Sequence, residues 1–197
     1  MSLLMGLLTP FQLWNDIVLK VGRWISLVAI FLMVLAILIQ VFFRYALNNA
    51  LPWPDEAARF MMLWMTGFMA PLAYRRGGFV AIDMLVEALP QKIGAALSLI
   101  LLIISGAVLA MAVSIGWGEV TGFGGRFATA SLYLPTSVDF SEWFRVPRSW
   151  MMMSFFMGVI LLLIVNIELI LRTLITMLGG GDQLKDIVPP EEEMVVD

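Results

Sequence analysis

Long, uninterrupted runs of apolar residues dominate the chain, and charged residues, prolines and glycines collect between them. The four longest runs cover approximately residues 24–43, 54–74, 93–118 and 149–171. About 20 apolar residues in a helix cross a hydrocarbon layer of about 30 Å. The pattern therefore predicts an all-α integral membrane protein, with four transmembrane helices forming a membrane domain over residues 24–172.

The segment before the first run, residues 1–23, has an amphipathic pattern. From its tenth residue on, apolar side chains such as Phe11 and Trp14 recur at helical spacing, while Asp16 and Lys20 fall elsewhere. This pattern favours a short helix that lies at the membrane surface. The alternative is that these residues extend the first transmembrane helix.

The second apolar run opens with signals for a helix start. Pro54 suits the first helical position, and Asp55 and Glu56 would meet the positive end of the helix dipole, which is worth up to about 1 kcal/mol. Asp55 and Arg59 are four residues apart and are predicted to pair along the helix. Pro71 lies inside the same run and is expected to kink it.

The segment between the second and third runs predicts a second interfacial helix. Asp83, Glu87 and Gln91 share one helical face and apolar residues share the other, and the pattern ends near Pro90.

The third run carries small residues at four-residue spacing, interrupted only by Leu102, and such residues let helices approach closely in a membrane. We interpret this stripe as the main internal packing seam, with a face for a partner helix as the alternative. Its members are Gly94, Ser98, Gly106, Ala110, Ser114 and Gly118.

The remaining polar segments frame the fourth run. Residues 119–149 are rich in Gly, Pro, Ser and aromatic side chains, which predicts a long loop and not a further span. Glu168 and Arg172, at the end of the fourth run, are spaced to pair within one helix. Residues 173–197 are Gly-rich and then acidic, which predicts a disordered tail.

Composition mainly excludes functions. The chain is 61% hydrophobic with a mean hydropathy of +0.94 and a net charge of −3, so neither a soluble fold nor nucleic-acid binding is expected. It contains no Cys and no His, the usual protein ligands of zinc and of most haem groups. No metal or other cofactor is expected.

Glu56 and Asp83 are the acidic residues that a membrane context singles out, because carboxylates near membrane depth are functional candidates. Both lie at predicted helix ends with Arg59, Arg75 or Arg76 available, so structural or inter-subunit ion pairs are the favoured interpretation. Ion coupling and acid–base catalysis are the alternatives. No run has a central acid, and no pair of broken runs suggests the inverted-repeat site of a secondary transporter. The chain is not expected to be an enzyme.

The basic residues favour one orientation in the membrane. If the N-terminus is cytoplasmic, seven of the twelve Lys and Arg residues lie on the cytoplasmic side and five on the other. Because cytoplasmic segments are enriched in Lys and Arg, both termini are predicted to be cytoplasmic.

Several local motifs between about residues 20 and 172 together resemble one transporter family. They are Phe-Phe-Arg44, Trp53-x-x-Glu56, the aromatic-rich run around Trp64, Arg75-Arg76-Gly77, Val80-Ala81-Ile82-Asp83 and Thr129-Ala130-Ser131-Leu132-Tyr133-Leu134-Pro135. The combination is similar to the small, Q-type (DctQ-like) membrane subunit of tripartite ATP-independent periplasmic (TRAP) transporters.

The resemblance implies a role and partners. A large membrane subunit would move an organic acid-type solute with sodium, and a periplasmic binding protein would deliver that solute. The small subunit would form a heterodimer with the large one and act as its non-catalytic scaffold in the bacterial inner membrane. The residues expected at the partner interface or in structural ion pairs are Arg44, Trp53, Glu56, Arg59, Trp64, Arg75, Arg76 and Asp83.

A self-contained four-helix carrier or channel is the alternative function. It needs polar residues near the middle of the membrane, and the runs offer Gln40, Thr66 and the serines of the third run. In the scaffold interpretation, Gln40 instead faces a neighbouring helix.

Overall fold

Four long helices dominate the computed structural model, which describes residues 2–77, 89–136, 142–185 and 187. The helices are α1 (Ser2–Tyr45), α2 (Trp53–Arg75), α3 (Gln91–Thr121) and α4 (Ser149–Met177). Between α3 and α4 the chain forms a 3-10 helix (Phe123–Arg126) and two strands, β1 (Ala128–Pro135) and β2 (Trp143–Pro147). A second 3-10 helix (Gly181–Gln183) follows α4.

Three stretches of the described helices are both long and apolar enough to cross a membrane: Leu4–Tyr45, Ile93–Thr121 and Ser149–Met177. They confirm the prediction of a helical membrane protein. α2 is not among them; its 23 residues include four charged side chains, those of Asp55, Glu56, Arg59 and Arg75. A fourth transmembrane span therefore stays a prediction.

α1 is one helix from Ser2 to Tyr45, and Pro10 lies inside it. The N-terminal segment is thus continuous with the first span, as the alternative interpretation of residues 10–23 had it. The chain also stays ordered beyond the predicted start of the tail at residue 173, because α4 continues to Met177. The interfacial helix predicted around Asp83 and the end of the tail fall in residues 78–88 and 188–197, outside the described ranges.

The chain divides into two compact units, and every long helix contributes to both. Unit A comprises Met1–Lys20, Ala70–Met111 and Leu161–Asp197, and unit B comprises Val21–Met69 and Ala112–Ile160. Apolar side chains form the core of each unit. Those of unit A include Leu8, Leu19, Val165 and Ile175, and those of unit B include Ala29, Ala36, Val146 and Val159.

In unit B the backbones of α2 and α4 meet at small residues. A Cβ atom on Gly67 would lie 2.5 Å from the carbonyl oxygen of Ser154, and a Cβ on Gly158 would lie 2.9 Å from the Cα and the oxygen of Gly67. Such contacts are tolerable only without side chains, so these two glycines permit the crossing. Among the described residues, the closest glycine contact between helices joins α2 and α4.

The small-residue stripe of α3 is not the main internal seam that the sequence predicted. Gly94 is buried, but Ala110, Ser114 and Gly118 are exposed, and a Cβ on Gly118 would meet nothing within 4 Å. Four residues turn an α-helix by slightly more than one revolution, so each step of the stripe drifts by about 40° around the helix. Over the length of α3 the stripe therefore leaves the packed face.

The two strands were not predicted, so the fold is mainly α-helical with one short β-hairpin and not all-α. They pair antiparallel, with Ala128 opposite Pro147 and Tyr133 opposite Arg145. Between these pairs β1 advances five positions and β2 only two, so the residues from Thr129 to Leu132 bulge out of the ladder. This bulge positions one of the polar sites described below.

Candidate functional site

Unit A contains a cluster of polar side chains from three helices, which we call the ion cluster. α1 contributes Asn15 and Asp16, α2 contributes Arg75, and α4 contributes Glu168 and Arg172. All except Asp16 are largely shielded from solvent. The cluster therefore joins three helices through charged and amide groups.

Arg75 lies at the centre of the ion cluster, and its side chain is 7% exposed. Nη1 donates to Oδ1 of Asp16 at 2.6 Å, and Nη2 donates to Oε1 of Glu168 at 2.8 Å. The planar guanidinium thus holds one carboxylate on α1 and another on α4. Arg75 was expected in an ion pair, and these two contacts identify its partners.

Glu168 has no solvent exposure, so its charge depends on nearby donors. Besides Arg75, it accepts hydrogen bonds from Nδ2 of Asn15 at 2.6 Å and from Nε of Arg172 at 3.0 Å. The pairing of Glu168 with Arg172 along α4 confirms the spacing-based prediction. Breaking a buried pair by removing one partner typically costs about 3–5 kcal/mol, so these contacts constrain how the helices can pack.

Lys185, in the segment after α4, contacts two residues of the ion cluster. Nη1 of Arg172 donates to the carbonyl oxygen of Lys185 at 2.8 Å, and Nζ of Lys185 lies 3.9 Å from Oδ2 of Asp16. The Lys185 side chain is 80% exposed, so this ion pair contributes little by itself. The backbone contact to Arg172 is the firmer link.

A second polar tie in unit A joins α2 to α4. Nδ2 of the fully buried Asn166 donates to the hydroxyl oxygen of Tyr74 at 2.6 Å. Gly106 of α3 leaves room for this amide, since a Cβ there would lie 3.1 Å from Oδ1 of Asn166. Gly106 is thus one member of the predicted stripe that does make a close helix contact.

In unit B, Glu56 binds the bulge of β1. Its carboxylate accepts hydrogen bonds from the backbone N–H of Ala130 at 2.9 Å, from the backbone N–H of Ser131, and from the Ser131 hydroxyl at 2.7 Å. The same hydroxyl lies 2.8 Å from the carbonyl oxygen of Pro52. We call this set of contacts the Glu56 clasp; it fastens the hairpin to the start of α2.

Side chains from β2 and from the bulge itself support the bulge. Arg145 donates through Nε to the carbonyl oxygen of Thr129 at 2.5 Å and through Nη2 to that of Ala130 at 2.8 Å. The Thr129 hydroxyl donates to the carbonyl oxygen of Val146 at 2.8 Å. These bonds replace the ladder bonds that the bulge interrupts, which explains how an irregular strand can present two N–H groups to Glu56.

The other residues of the predicted interface set are dispersed. Arg44, Trp53, Arg59 and Arg76 are exposed, and Asp83 lies outside the described ranges. Trp64 is partly buried between Phe60 and Phe68, with ring centroids at 6.2 Å and 5.7 Å, so it contributes to an aromatic row along α2.

Asp55 was predicted to pair with Arg59, but its described partner is on α1. Nε2 of Gln40 donates to Oδ2 of Asp55 at 3.4 Å, and Gln40 is 8% exposed. This contact confirms that Gln40 faces a neighbouring helix.

Sequence reasoning missed most of the ion cluster as a site. It named Arg75 but not Asn15, Asp16 or Glu168 as its surroundings. One signal was available, since Glu168 is an acid within a long apolar run and such residues are functional or structural candidates by default. Among the described residues, no group of three or more acidic side chains could hold a metal ion. The ion cluster and the Glu56 clasp both consist of hydrogen bonds and ion pairs that connect helices and loops.

Comparison with known proteins gives one informative match. No curated protein matches the chain. A family model described as the DctQ component of tripartite ATP-independent periplasmic transporters matches residues 33–176, which is well over half of the 197 residues. The chain therefore belongs to the DctQ family, the small membrane component of TRAP transporters.

Proposed function

We propose that this chain is a non-catalytic scaffold that anchors the large membrane subunit of a TRAP transporter. The large subunit would import an organic acid-type solute by sodium-coupled secondary transport, and a periplasmic binding protein would supply the solute. The chain would lie in the bacterial inner membrane with four spans and both termini in the cytoplasm. The family match over residues 33–176 is the observation that carries the proposal.

The contacts of the charged residues support a scaffold role, because these residues bind other parts of the same chain. Arg75 and Glu168 bind each other, and Glu56 binds the hairpin. These groups are engaged in holding elements of the chain together, so a solute or ion would have to compete with strong internal contacts. A scaffold needs such internal ties, whereas a carrier needs polar groups that can exchange partners.

The exposed apolar surface supports a partner in the membrane. In the most apolar 18-residue stretch of α3, no residue is buried by the rest of the chain. In the corresponding stretch of α1, 22% of the residues are buried. Large side chains on α3 are 54–69% exposed: Ile100, Ile103, Ile104, Val108, Met111 and Ile115. We assign part of this apolar surface to contact with the large subunit. At the edges of that contact we place five further residues: Arg44, Trp53, Arg59, Arg76 and Asp83.

The test combines co-purification with transport. The chain is expressed with and without the large subunit of its transporter and purified in a mild detergent. The purified proteins are then reconstituted with the binding protein and a sodium gradient. We expect a stable complex of the two membrane subunits, and solute uptake only when all three components are present. Uptake by the small subunit alone would favour the self-contained carrier and overturn the scaffold proposal.

A further inference from the structure

An open groove in unit B lies between the start of α2 and the hairpin. It takes no part in the ion cluster, and Trp53 at its edge is the one wall residue that the proposed scaffold role also uses. Its volume is about 960 Å³, and its walls include Pro52, Trp53, Leu132, Tyr133 and Trp143. This volume is at the upper end of the range of about 300–1,000 Å³ that is usual for small-molecule sites. Its lining is mainly apolar and aromatic, which suits a hydrocarbon ligand.

The groove is a built feature of the fold. The Glu56 clasp holds Ala130 and Ser131 against the first turn of α2, which sets one wall against the other. The β1–β2 register places Trp143 opposite Pro135 and Tyr133 opposite Arg145, so the aromatic side chains come from paired strands. The walls therefore have a defined spacing and do not need a ligand to come together.

The position of the groove along the chain indicates which molecules surround it. α1 is apolar enough to cross a membrane and ends at Tyr45, and only residues 46–52 separate it from Trp53 in the same unit. A short link between an apolar helix and the next helix lies near the membrane surface. Trp and Tyr concentrate at that depth because their rings are apolar and their N–H and O–H groups are polar. Lipid is the abundant hydrocarbon ligand there.

The charge beside the groove matches a lipid phosphate. The guanidinium carbon of Arg145 lies 5.6 Å from the centre of the Tyr133 ring, which lines the groove. Nε and Nη2 of Arg145 bind backbone carbonyl groups, and Nη1 has no acceptor within the described part of the chain. The neighbouring carboxylate of Glu56 already accepts three hydrogen bonds from the hairpin. Arg145 thus keeps a donor available beside Tyr133, a residue of the groove wall.

We propose that this groove binds one membrane phospholipid, with an acyl chain against Trp53, Tyr133 and Trp143 and the phosphate at Arg145. The ligand chemistry is thus a phosphodiester attached to a long hydrocarbon chain. The phosphate would satisfy the remaining donor of Arg145 in a charge-assisted hydrogen bond. The site concerns the small subunit itself and does not depend on its scaffold role.

Native mass spectrometry of the full chain in detergent tests the proposal. The chain is titrated with dioleoyl phosphatidylglycerol and, separately, with dioleoylglycerol, which has the same acyl chains but no phosphate. We expect one phospholipid adduct of defined stoichiometry and at least about tenfold weaker binding of dioleoylglycerol, since the phosphate contact is absent. Equal binding of the two lipids would contradict the phosphate site.

Two groove variants and one matched control locate the adduct. Trp143→Ala removes part of the wall, and Leu132→Trp fills the groove without removing a wall; each should weaken phospholipid binding by about tenfold or more. Trp117→Ala is the control, because Trp117 is 58% exposed in the same unit and does not line the groove. Adducts that survive both groove variants, or that are lost equally in Trp117→Ala, would overturn the proposal.

A photo-reactive aromatic residue such as benzoylphenylalanine at position 143, which keeps an aromatic side chain in the wall, distinguishes lipid from protein in the assembled complex. Cross-linking to phospholipid agrees with the proposal. Cross-linking to the large subunit instead would assign the groove to a protein partner and overturn the lipid site.

Discussion

Arg75 and Arg59 lie on the same helix, yet the structure gives them very different surroundings. Arg75 is buried between Asp16 and Glu168, whereas Arg59 is exposed. The two arginines look equivalent in sequence, since each lies near one end of an apolar run. Burial decides their roles, because an ion pair shielded from water is much more costly to break than an exposed one.

Replacement of Arg75 by Met should destabilise the chain by about 3–5 kcal/mol, because Glu168 would stay buried with one cation fewer. Arg59→Met should change the free energy of unfolding by less than about 0.5 kcal/mol, as is usual for exposed sites. The measurement is unfolding of the purified chain in mixed micelles with increasing SDS.

The double variant Arg75→Met/Glu168→Gln isolates the ion pair. Removing both charges should cost less than the sum of the single changes by about 0.5–3 kcal/mol, the usual coupling between residues in contact. Strict additivity would show that the two residues do not act as a pair.

Glu56 should control the order of the hairpin bulge. Glu56→Ala removes the acceptor for the Ala130 and Ser131 N–H groups, and hydrogen bonds to a charged group are worth about 1.5–3 kcal/mol. Hydrogen exchange of residues 128–135 should therefore accelerate by about tenfold or more. Glu56→Gln, which keeps one acceptor oxygen, should have a smaller effect.

Asp55→Ala is the matched control for Glu56, because Asp55 lies in the same turn of α2 but binds Gln40. Exchange in the hairpin should stay unchanged in this variant. The same acceleration in both variants would show that the first turn of α2, and not the Glu56 clasp, orders the bulge.

At the scale of the elements, the close contact between α2 and α4 depends on two glycines that are far apart in the chain. Gly67 and Gly158 let the backbones of α2 and α4 touch, while the more regular stripe on α3 turns away from the packed face. Regular spacing along a helix is therefore weaker evidence for a packing seam than a close approach between two particular residues.

Gly158→Ala should weaken the crossing of α2 and α4. The new methyl group would lie 2.9 Å from the backbone of Gly67, so the helices must separate, and overpacking of this kind costs about 1–3 kcal/mol. Gly118→Ala meets no atom within 4 Å and should be neutral or stabilising by up to about 1 kcal/mol from helix propensity. Both are measured by SDS unfolding, and equal effects would contradict the glycine crossing.

At the scale of the whole molecule, we predict that α2 crosses the membrane. It has 23 residues, about 35 Å of helix, which is long enough to span, although its four charged residues lower its mean hydropathy. If the first turn of α2 lies among the headgroups, Arg59 can extend its side chain to the surface. The number of crossings then decides which connections share a side of the membrane.

Single cysteines can settle this topology because the chain has none of its own. Tyr45→Cys places a thiol at the end of α1, and Gly124→Cys places one after α3, both at exposed positions. If α2 spans the membrane, a membrane-impermeant maleimide should label both from the periplasm, and it should not label Leu178→Cys. Labelling of Tyr45→Cys without Gly124→Cys would mean that α2 does not cross.

Much of the fold could be predicted because the signals are local. The apolar runs predicted helices at the places where α1, α2, α3 and α4 occur, and the Pro54 signal predicted the start of α2 to within a residue. The bulged hairpin was missed, since side chains of Thr129 and Arg145 replace much of its backbone ladder. A pattern search based on regular alternation does not detect such an arrangement.

The sequence by itself determined that this is a helical membrane protein of the DctQ type, and it determined contacts within one helix such as Glu168 with Arg172. Hydrophobic runs and four-residue spacing are properties of neighbouring residues, so they survive without a fold. Only the tertiary structure decided that Arg75 binds Asp16 and Glu168, 59 and 93 positions away, and that Glu56 binds Ser131, 75 positions away. These pairs depend on how each helix is rotated and which faces it buries, and packing against the other helices sets that rotation.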